Sequence, residues 1–479
     1  MSPSNPVVVS AELPRSLGRS LVVVVVAALA GACQATAGAS PDADSGAATS
    51  DDGLSRADAG TDAAGGDPCL QSAITCTTPP AAQCVNAITL RTYDAAGTCS
   101  GGSCTYEHTD VACSLGCRNG ACVPPPSGIT SLSSNNSHSC VSKGGAVACW
   151  GISFASTSTT IRYTAVPYAP LSSGVLTVSA GALADYAIMQ GGGLKSWGLN
   201  QYGQLGNGSL LASDVPVDVS GLTSGVAGVA ASIEFACART TAGGVTCWGA
   251  NDAGQLGRGS TTGSPVPVGV VGLQSNVAAV AAGDRHACAL TTAGGVKCWG
   301  QNTSGELGNG STTRSLVPVD VIGLSSGVVR IAAGFRHTCA VKSSGAIVCW
   351  GDNAFGQLGT GNQTSSAVPV TVSGITQTVA IALGGFSTCS LGSYGGGVKC
   401  WGSNDRSQLG QNPDLMLSSA VPVNVTNLGS GVVAISTGFD FGCALTTVGV
   451  VRCWGRGELG QLGYGFGTDS FGPVSVLGL

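Results

Sequence analysis

Short runs of alternating or β-branched apolar residues, separated by Gly-rich turns, recur along the chain from about residue 128 to its end. One unit shows the pattern. Val277-Ala278-Ala279-Val280-Ala281-Ala282 is a small-residue apolar run, His286 to Leu290 a second, Gly295 to Trp299 a third, and Pro318-Val319-Asp320-Val321 a fourth. Each run is four to six residues long, rich in Val and Ala and bounded by Gly, Ser or Asn, which predicts a strand at each position. No stretch of this region carries the 3.6-residue periodicity of an amphipathic helix. The unit repeats. Trp-Gly occurs at Trp150, Trp197, Trp248, Trp299, Trp350, Trp401 and Trp454, at spacings of 47, 51, 51, 51, 51 and 53 residues, and these are all 7 tryptophans of the chain. Four short strands per unit at a period near fifty predict an all-β, seven-bladed β-propeller. One small sheet cannot bury both its faces, so neighbouring blades are obligatory.

The run His286-x-Cys288-Ala289-Leu290, Gly295-Val296-x-Cys298-Trp299-Gly300, Gly-Glu-Leu-Gly, Pro318-Val319 resembles the repeat of the regulator of chromosome condensation (RCC1) family. Gly-Gln-Leu-Gly stands at 203–206, 254–257, 356–359 and 460–463, Gly-Glu-Leu-Gly at 305–308 and Ser-Gln-Leu-Gly at 407–410; the first repeat lacks it. The resemblance covers about three quarters of the chain and implies a propeller built of RCC1-like repeats over 127–479.

Cysteine adds to this picture. Of 21 cysteines, twelve form pairs within repeats: Cys140 with Cys149, Cys237 with Cys247, Cys288 with Cys298, Cys339 with Cys349, Cys389 with Cys400, and Cys443 with Cys453. If Cys288 faces Cys298 in an antiparallel hairpin, Leu290 faces Val296, and facing Cα atoms about 4.5–5.5 Å apart suit a disulfide. The second repeat has Tyr186 and Ser196 at the two positions, so both cysteines are lost together, as expected of a bonded pair. Each bridge closes a short loop and contributes at most about 2–3 kcal/mol.

The first 126 residues differ in kind. Arg15 and Arg19 precede the ten-residue apolar run Leu21 to Ala30, too short to span a membrane. Leu29-Ala30-Gly31-Ala32-Cys33 resembles a bacterial lipoprotein signal, although Ala30 stands where Leu is usual. The resemblance implies a signal over 1–32, lipidation at Cys33 and export to an outer membrane or cell surface; an ordinary signal and a secreted product is the alternative. Residues 33–68 are rich in Ala, Gly, Ser and Asp, without aromatic residues, and read as a flexible acidic tether. Its coil span is about 30–35 Å. Residues 69–126 hold eight cysteines and a Pro124-Pro125-Pro126 spacer. Four disulfides are expected there in an oxidising compartment, the connectivity being open among 105 pairings. Zinc is the rival reading, but no C-x2-C pair is present.

Charge narrows the function. Only 9% of residues are charged, and the net charge is −5, which excludes a basic nucleic-acid groove. His138, His286 and His337 share one repeat position and read as hydrogen-bonded structural residues, because Ala184 and Phe235 fill that position in repeats 2 and 3. Neither a catalytic set nor a cofactor or metal site is assigned. The variable loop after Gly-Gln-Leu-Gly is polar in repeats 3 to 5. It turns apolar in repeats 6, 7, 1 and 2, which become consecutive when the ring closes. Ile161, Tyr163, Leu210, Leu211, Leu415, Met416, Leu417, Tyr464, Phe466 and Phe471 are therefore expected to form a partner-binding rim, or else to fold back over their own blades. These features point to a non-enzymatic, monomeric protein-binding scaffold held at a bacterial envelope by a lipid anchor. Guanine-nucleotide exchange, by family resemblance, and a propeller lyase are the alternatives. The opening strand near Ile129 and the closing Pro473-Val474-Ser475-Val476 are expected to share a blade.

Overall fold

The computed structural model describes residues 76–86, 89–100, 103–112, 117–118, 121–122, 128–154, 159–393 and 396–479. The signal, Cys33 and the tether lie outside these residues. In the 76–122 segment Cys76 is bonded to Cys104, with Cα atoms 5.5 Å apart.

Seven four-stranded antiparallel sheets follow, each with its strands in sequence order. Blade 4 comprises Val277–Ala282, His286–Thr291, Val296–Gly300 and Ser315–Asp320. Blade 1 comprises Ile129–Ser134, His138–Lys143, Ala146–Phe154 and Thr159–Pro167, and blade 7 ends with Ser470–Ser475. Blades 2, 3, 5 and 6 span 175–218, 226–269, 328–371 and 378–424. A short 3-10 segment, Ala169–Leu171, links blades 1 and 2.

First strands of successive blades touch one another around the ring, and that of blade 7 touches that of blade 1. The first strand is thus the inner one. Its alanines and serines make it thin, which lets seven sheets converge on one axis. The termini do not share a blade, contrary to the expectation from sequence. Every blade is one uninterrupted stretch of chain, and the ring closes by contacts between complete blades. Ser134 N donates to Ser436 Oγ (2.8 Å), Gly465 N to Tyr163 O (2.7 Å) and Ala165 N to Leu477 O (2.8 Å). Strand order within a blade depends on hydrogen-bond partners that repeat identically in every unit, so sequence alone could not decide between the two closures.

The register within each hairpin places Cys288 opposite Cys298 and Leu290 opposite Val296. All six expected in-blade bridges are formed. Cys140 is bonded to Cys149, Cys237 to Cys247, Cys288 to Cys298, Cys339 to Cys349, Cys389 to Cys400, and Cys443 to Cys453. Their Cα separations are 4.0–4.1 Å, below the spacing expected for facing residues. In blade 2, Tyr186 faces Ser196 at the same place. The glycine after each tryptophan is required by its backbone: Gly300 has φ +99°, and a Cβ there would meet Arg285 O at 2.5 Å.

A tryptophan hydrogen bond crosses each ordinary blade junction. Trp299 Nε1 donates to Gln255 O (2.8 Å), Trp350 Nε1 to Glu306 O (2.7 Å) and Trp150 Nε1 to Gln461 O (2.9 Å); Trp248, Trp401 and Trp454 follow the same rule. The acceptor is always the Gln or Glu carbonyl of the preceding blade's Gly-Gln-Leu-Gly motif. Blade 1 lacks the motif and offers Trp197 no such carbonyl. Tyr168 fills the place, its ring stacked on Trp197 at 5.1 Å and its hydroxyl donating to Asp214 O (2.6 Å).

Candidate functional site

In a four-stranded antiparallel blade, the loops between strands one and two and between strands three and four emerge on the same face. Near the axis, that face carries a group of aromatic rings. Phe335 and Phe439 hold equivalent positions in the first loops of blades 5 and 7, and Phe386 stands one position further along in that of blade 6, where Gly385 takes the equivalent place. Their centroids are 5.5 Å apart for Phe335–Phe386 and Phe386–Phe439, and 6.1 Å for Phe335–Phe439. Phe355, from the second loop of blade 5, lies 5.1 Å from Phe386. Phe355 is exposed and the other three are half-buried. The Arg336 guanidinium lies 5.4 Å from the Phe335 centroid, within cation–π range, and is exposed.

Charge around these rings is mostly neutralised within the face. Arg285 pairs with Asp252 (2.7 Å) and lies 4.0 Å from Glu234. Arg406 pairs with Glu458 (3.2 Å) and Asp469 (3.6 Å), and Arg456 with Glu458 (2.8 Å) and Asp440 (3.8 Å). Burial, then the neighbouring Asp405 carboxylate, pushes Asp440 up to about 7 despite both arginines. Among the described residues no carboxylate lies within ion-pair distance of Arg336.

The apolar residues expected on the rim divide into two groups. Leu415, Leu417, Leu211, Leu210, Phe466, Phe471, Ile161 and Tyr163 are exposed, Leu415 the most at 85%. Met416 packs against the blade 6 core, and Tyr464 against the blade 1–blade 7 core with its ring 5.3 Å from Phe466. Tyr163, Tyr464 and Phe466 come together at the closing junction, where Thr164 bridges Tyr464.

The three repeat-position histidines are inter-blade linkers. His286 Nε2 meets Thr338 Oγ1 (2.9 Å) and His337 Nε2 meets Thr388 Oγ1 (2.8 Å). Burial lowers His286 to about 4; burial, with the charge of His286 second, lowers His337 to about 3, so both rings are neutral in the folded protein. His138 differs. Its Nε2 meets a carboxylate, Asp185 Oδ1, at 2.9 Å, and Asp185 also accepts from Gly181 N (3.1 Å).

A domain-family model described as "RCC1-like domain" matches residues 155–477. The chain belongs to the RCC1-like domain family. The ultraviolet-B receptor UVR8 of Arabidopsis thaliana is 33% identical over 309 residues, 63% of this chain and 70% of the receptor. Human E3 ubiquitin-protein ligase HERC2 is 31% identical over 319 residues, 64% of this chain but only 6% of the ligase. Among solved structures, Prp20p of Saccharomyces cerevisiae matches with a TM-score of 0.62 at 21% identity over 72% of this chain and 86% of that one, a likeness of fold.

Two features of this RCC1-like propeller escaped the reading of its sequence. One is the asparagine of Trp-Gly-x-Asn, at Asn200, Asn251, Asn302, Asn353 and Asn404. Asn302 is fully buried; its Oδ1 accepts from Leu307 N (2.9 Å) and its Nδ2 donates to Ser311 O and Thr313 O (both 2.9 Å), folding the whole loop around one side chain. Its period of 51 was the available signal. The other is the Gly-Phe pair at 334–335, 385–386 and 438–439, which places rings at the mouth of the axis.

Proposed function

We propose that the chain is a non-enzymatic protein-binding scaffold that docks its partner on the face bearing Phe335, Phe355, Phe386 and Phe439. The contact among these four rings carries the reading. Contiguous aromatic rings left partly in water beside an exposed arginine with no carboxylate at ion-pair distance are what the centre of a protein interface requires: large apolar area, and a cation that a partner can desolvate. The exposed leucines and phenylalanines of the outer loops on blades 6, 7, 1 and 2 extend the same surface outward. The curated relatives of this family include a light receptor and a ubiquitin ligase, and Prp20p was solved together with a description of its binding to Gsp1p and histones. Those names support a binding or regulatory role in general and name no partner for this chain.

The finer part of the proposal is display at a bacterial envelope. Acylation of Cys33 anchors the chain, the 33–68 tether lifts the monomeric propeller clear of the surface, and the hairpin bridges suit an oxidising compartment. The test is crosslinking and affinity capture from envelope extracts with the wild-type chain, Phe386→Asp and Phe466→Asp. A partner retained by wild type and lost from Phe386→Asp supports the axial face, and loss from Phe466→Asp alone moves the contact to the rim. Equal capture by all three refutes both surfaces. Mass spectrometry of the mature N-terminus tests the anchor: an acylated Cys33 is expected, and an unmodified one overturns it.

A further inference from the structure

The junction of blades 1 and 2 is built differently from the others. The repeat that precedes it lacks Gly-Gln-Leu-Gly, and the junction holds a cavity of about 20 Å³, space for one water-sized guest. His138, Cys149, Asp185 and Arg162 line it, between Trp150 and Trp197. His138 Nε2, Cys140 Sγ and an Asp185 carboxylate oxygen lie within 4.8 Å of one another. Cys140 and Cys149 are at present joined, so neither sulfur is a thiolate. Cys149 is also the least buried of the in-blade cysteines, at 9% against 0% for all the others.

We propose that reduction of the bridge between Cys140 and Cys149 turns this junction into a zinc site with the donor set Cys140, Cys149, His138 and Asp185. The chemistry balances with a dithiol reductant. The S–S bond breaks, the dithiol supplies two electrons and two protons and closes to its own disulfide, and two thiols remain. Zn²⁺ then takes both sulfurs as thiolates and releases the two protons. His138 binds through Nε2 and keeps its ring proton on Nδ1, which has no hydrogen bond in the present structure. Two sulfurs, one imidazole nitrogen and one carboxylate oxygen make a tetrahedral zinc set. Three anionic donors against one Zn²⁺ leave a single negative charge, which Arg162 on the cavity wall offsets.

The ring contains its own controls. Blades 4 and 5 also place a histidine two residues before a bridged cysteine, but the next blade answers with a hydroxyl, Thr338 or Thr388. Only at the blade 1–2 junction, among these three, is the fourth donor an anion, and only there does the preceding repeat lack the Gly-Gln-Leu-Gly motif. The site is independent of the docking face.

The test uses the full-length oxidised chain, dithiothreitol under native conditions and Co(II) chloride as the metal probe. Opened bridges are mapped by alkylation and peptide mass. The bridge between Cys140 and Cys149 is expected to open before the other five in-blade bridges, and the reduced protein to bind one equivalent of Co(II) with a thiolate-to-cobalt absorption band. Asp185→Thr recreates the blade 4 arrangement and is expected to weaken Co(II) binding by at least ~10-fold, since even outer partners of metal ligands are worth that much. Asp185→Asn serves in its place if the threonine variant does not fold. An opened Cys140 and Cys149 pair without the band, an Asp185 variant that binds as wild type, or prior opening of another in-blade bridge overturns the proposal.

Discussion

Replacing Trp299 by Phe removes the indole N–H from Gln255 O, a carbonyl with no other side-chain donor among the described residues. The substitution has two costs. The smaller ring leaves a void, worth about 1–3 kcal/mol for a large-to-small core change of this size. The orphaned carbonyl adds roughly 1–3 kcal/mol of uncompensated desolvation. Two other tryptophans separate these terms. Trp350→Phe makes the same void, but Thr338 Oγ1 continues to donate to Glu306 O at 3.0 Å, so the second term is reduced. Trp197→Phe makes the void without the second term, because blade 1 supplies no motif carbonyl and the Tyr168 stack can be kept by a phenyl ring. Urea unfolding of the three variants with bridges intact should rank the losses Trp299, then Trp350, then Trp197, with the first exceeding the last by about 1–3 kcal/mol. Three losses equal within ~0.5 kcal/mol would show that the inter-blade hydrogen bond contributes nothing beyond packing.

Asn302→Ala should cost about 1–3 kcal/mol in the same assay, since the buried Leu307 N–H and the half-buried carbonyls of Ser311 and Thr313 lose their partner. Asn302→Asp should also destabilise, because it keeps the acceptor but sets a carboxylate against two carbonyl oxygens. Ser407 occupies the left-handed region at φ +65°, where the other five repeats that carry the motif have glycine, so Ser407→Gly should stabilise by about 1 kcal/mol in thermal or urea unfolding. His286 and His337 have folded values lowered to about 4 and about 3; their contribution is complete above the unfolded value near 6.5 and is lost as pH falls through the folded values. His337→Gln should therefore flatten the acid limb of a stability–pH curve. Asp440, raised to about 7, acts in the opposite sense: its burial is tolerated at acid pH and costs stability as pH rises from the unfolded value towards 7, so Asp440→Asn should gain relative stability above pH 7.

Much of this was legible before any coordinates. The seven tryptophans gave the blade count because the strand pattern around each repeats with a nearly fixed period. Cys288 and Cys298 declared their pairing through the hairpin register, and the joint loss of both cysteines at Tyr186 and Ser196 supported it. The same register carried over to Cys247, Cys349, Cys400 and Cys453, each of which bonds the cysteine facing it across its own hairpin. Sequence left open whether the apolar loop residues turn outward or fold back over their blades, and Leu415 and Phe466 are exposed. Met416 and Tyr464 pack inward, because whether a loop side chain turns outward or inward depends on the space its own blade leaves.

The repeating unit could be read from the chain alone: four strands, a facing cysteine pair, a tryptophan and a turn, all fixed by local periodicity and by contacts within fifty residues. What passes between units became visible only in three dimensions. Trp299 reaching the Gln255 carbonyl, His138 meeting Asp185 rather than a threonine, the four phenylalanines converging on the axis and blade 7 closing on blade 1 are all contacts between different blades. Equivalent residues in a repeat have equivalent local surroundings. Differences among them arise where one blade meets the next, and a one-dimensional pattern does not contain that meeting.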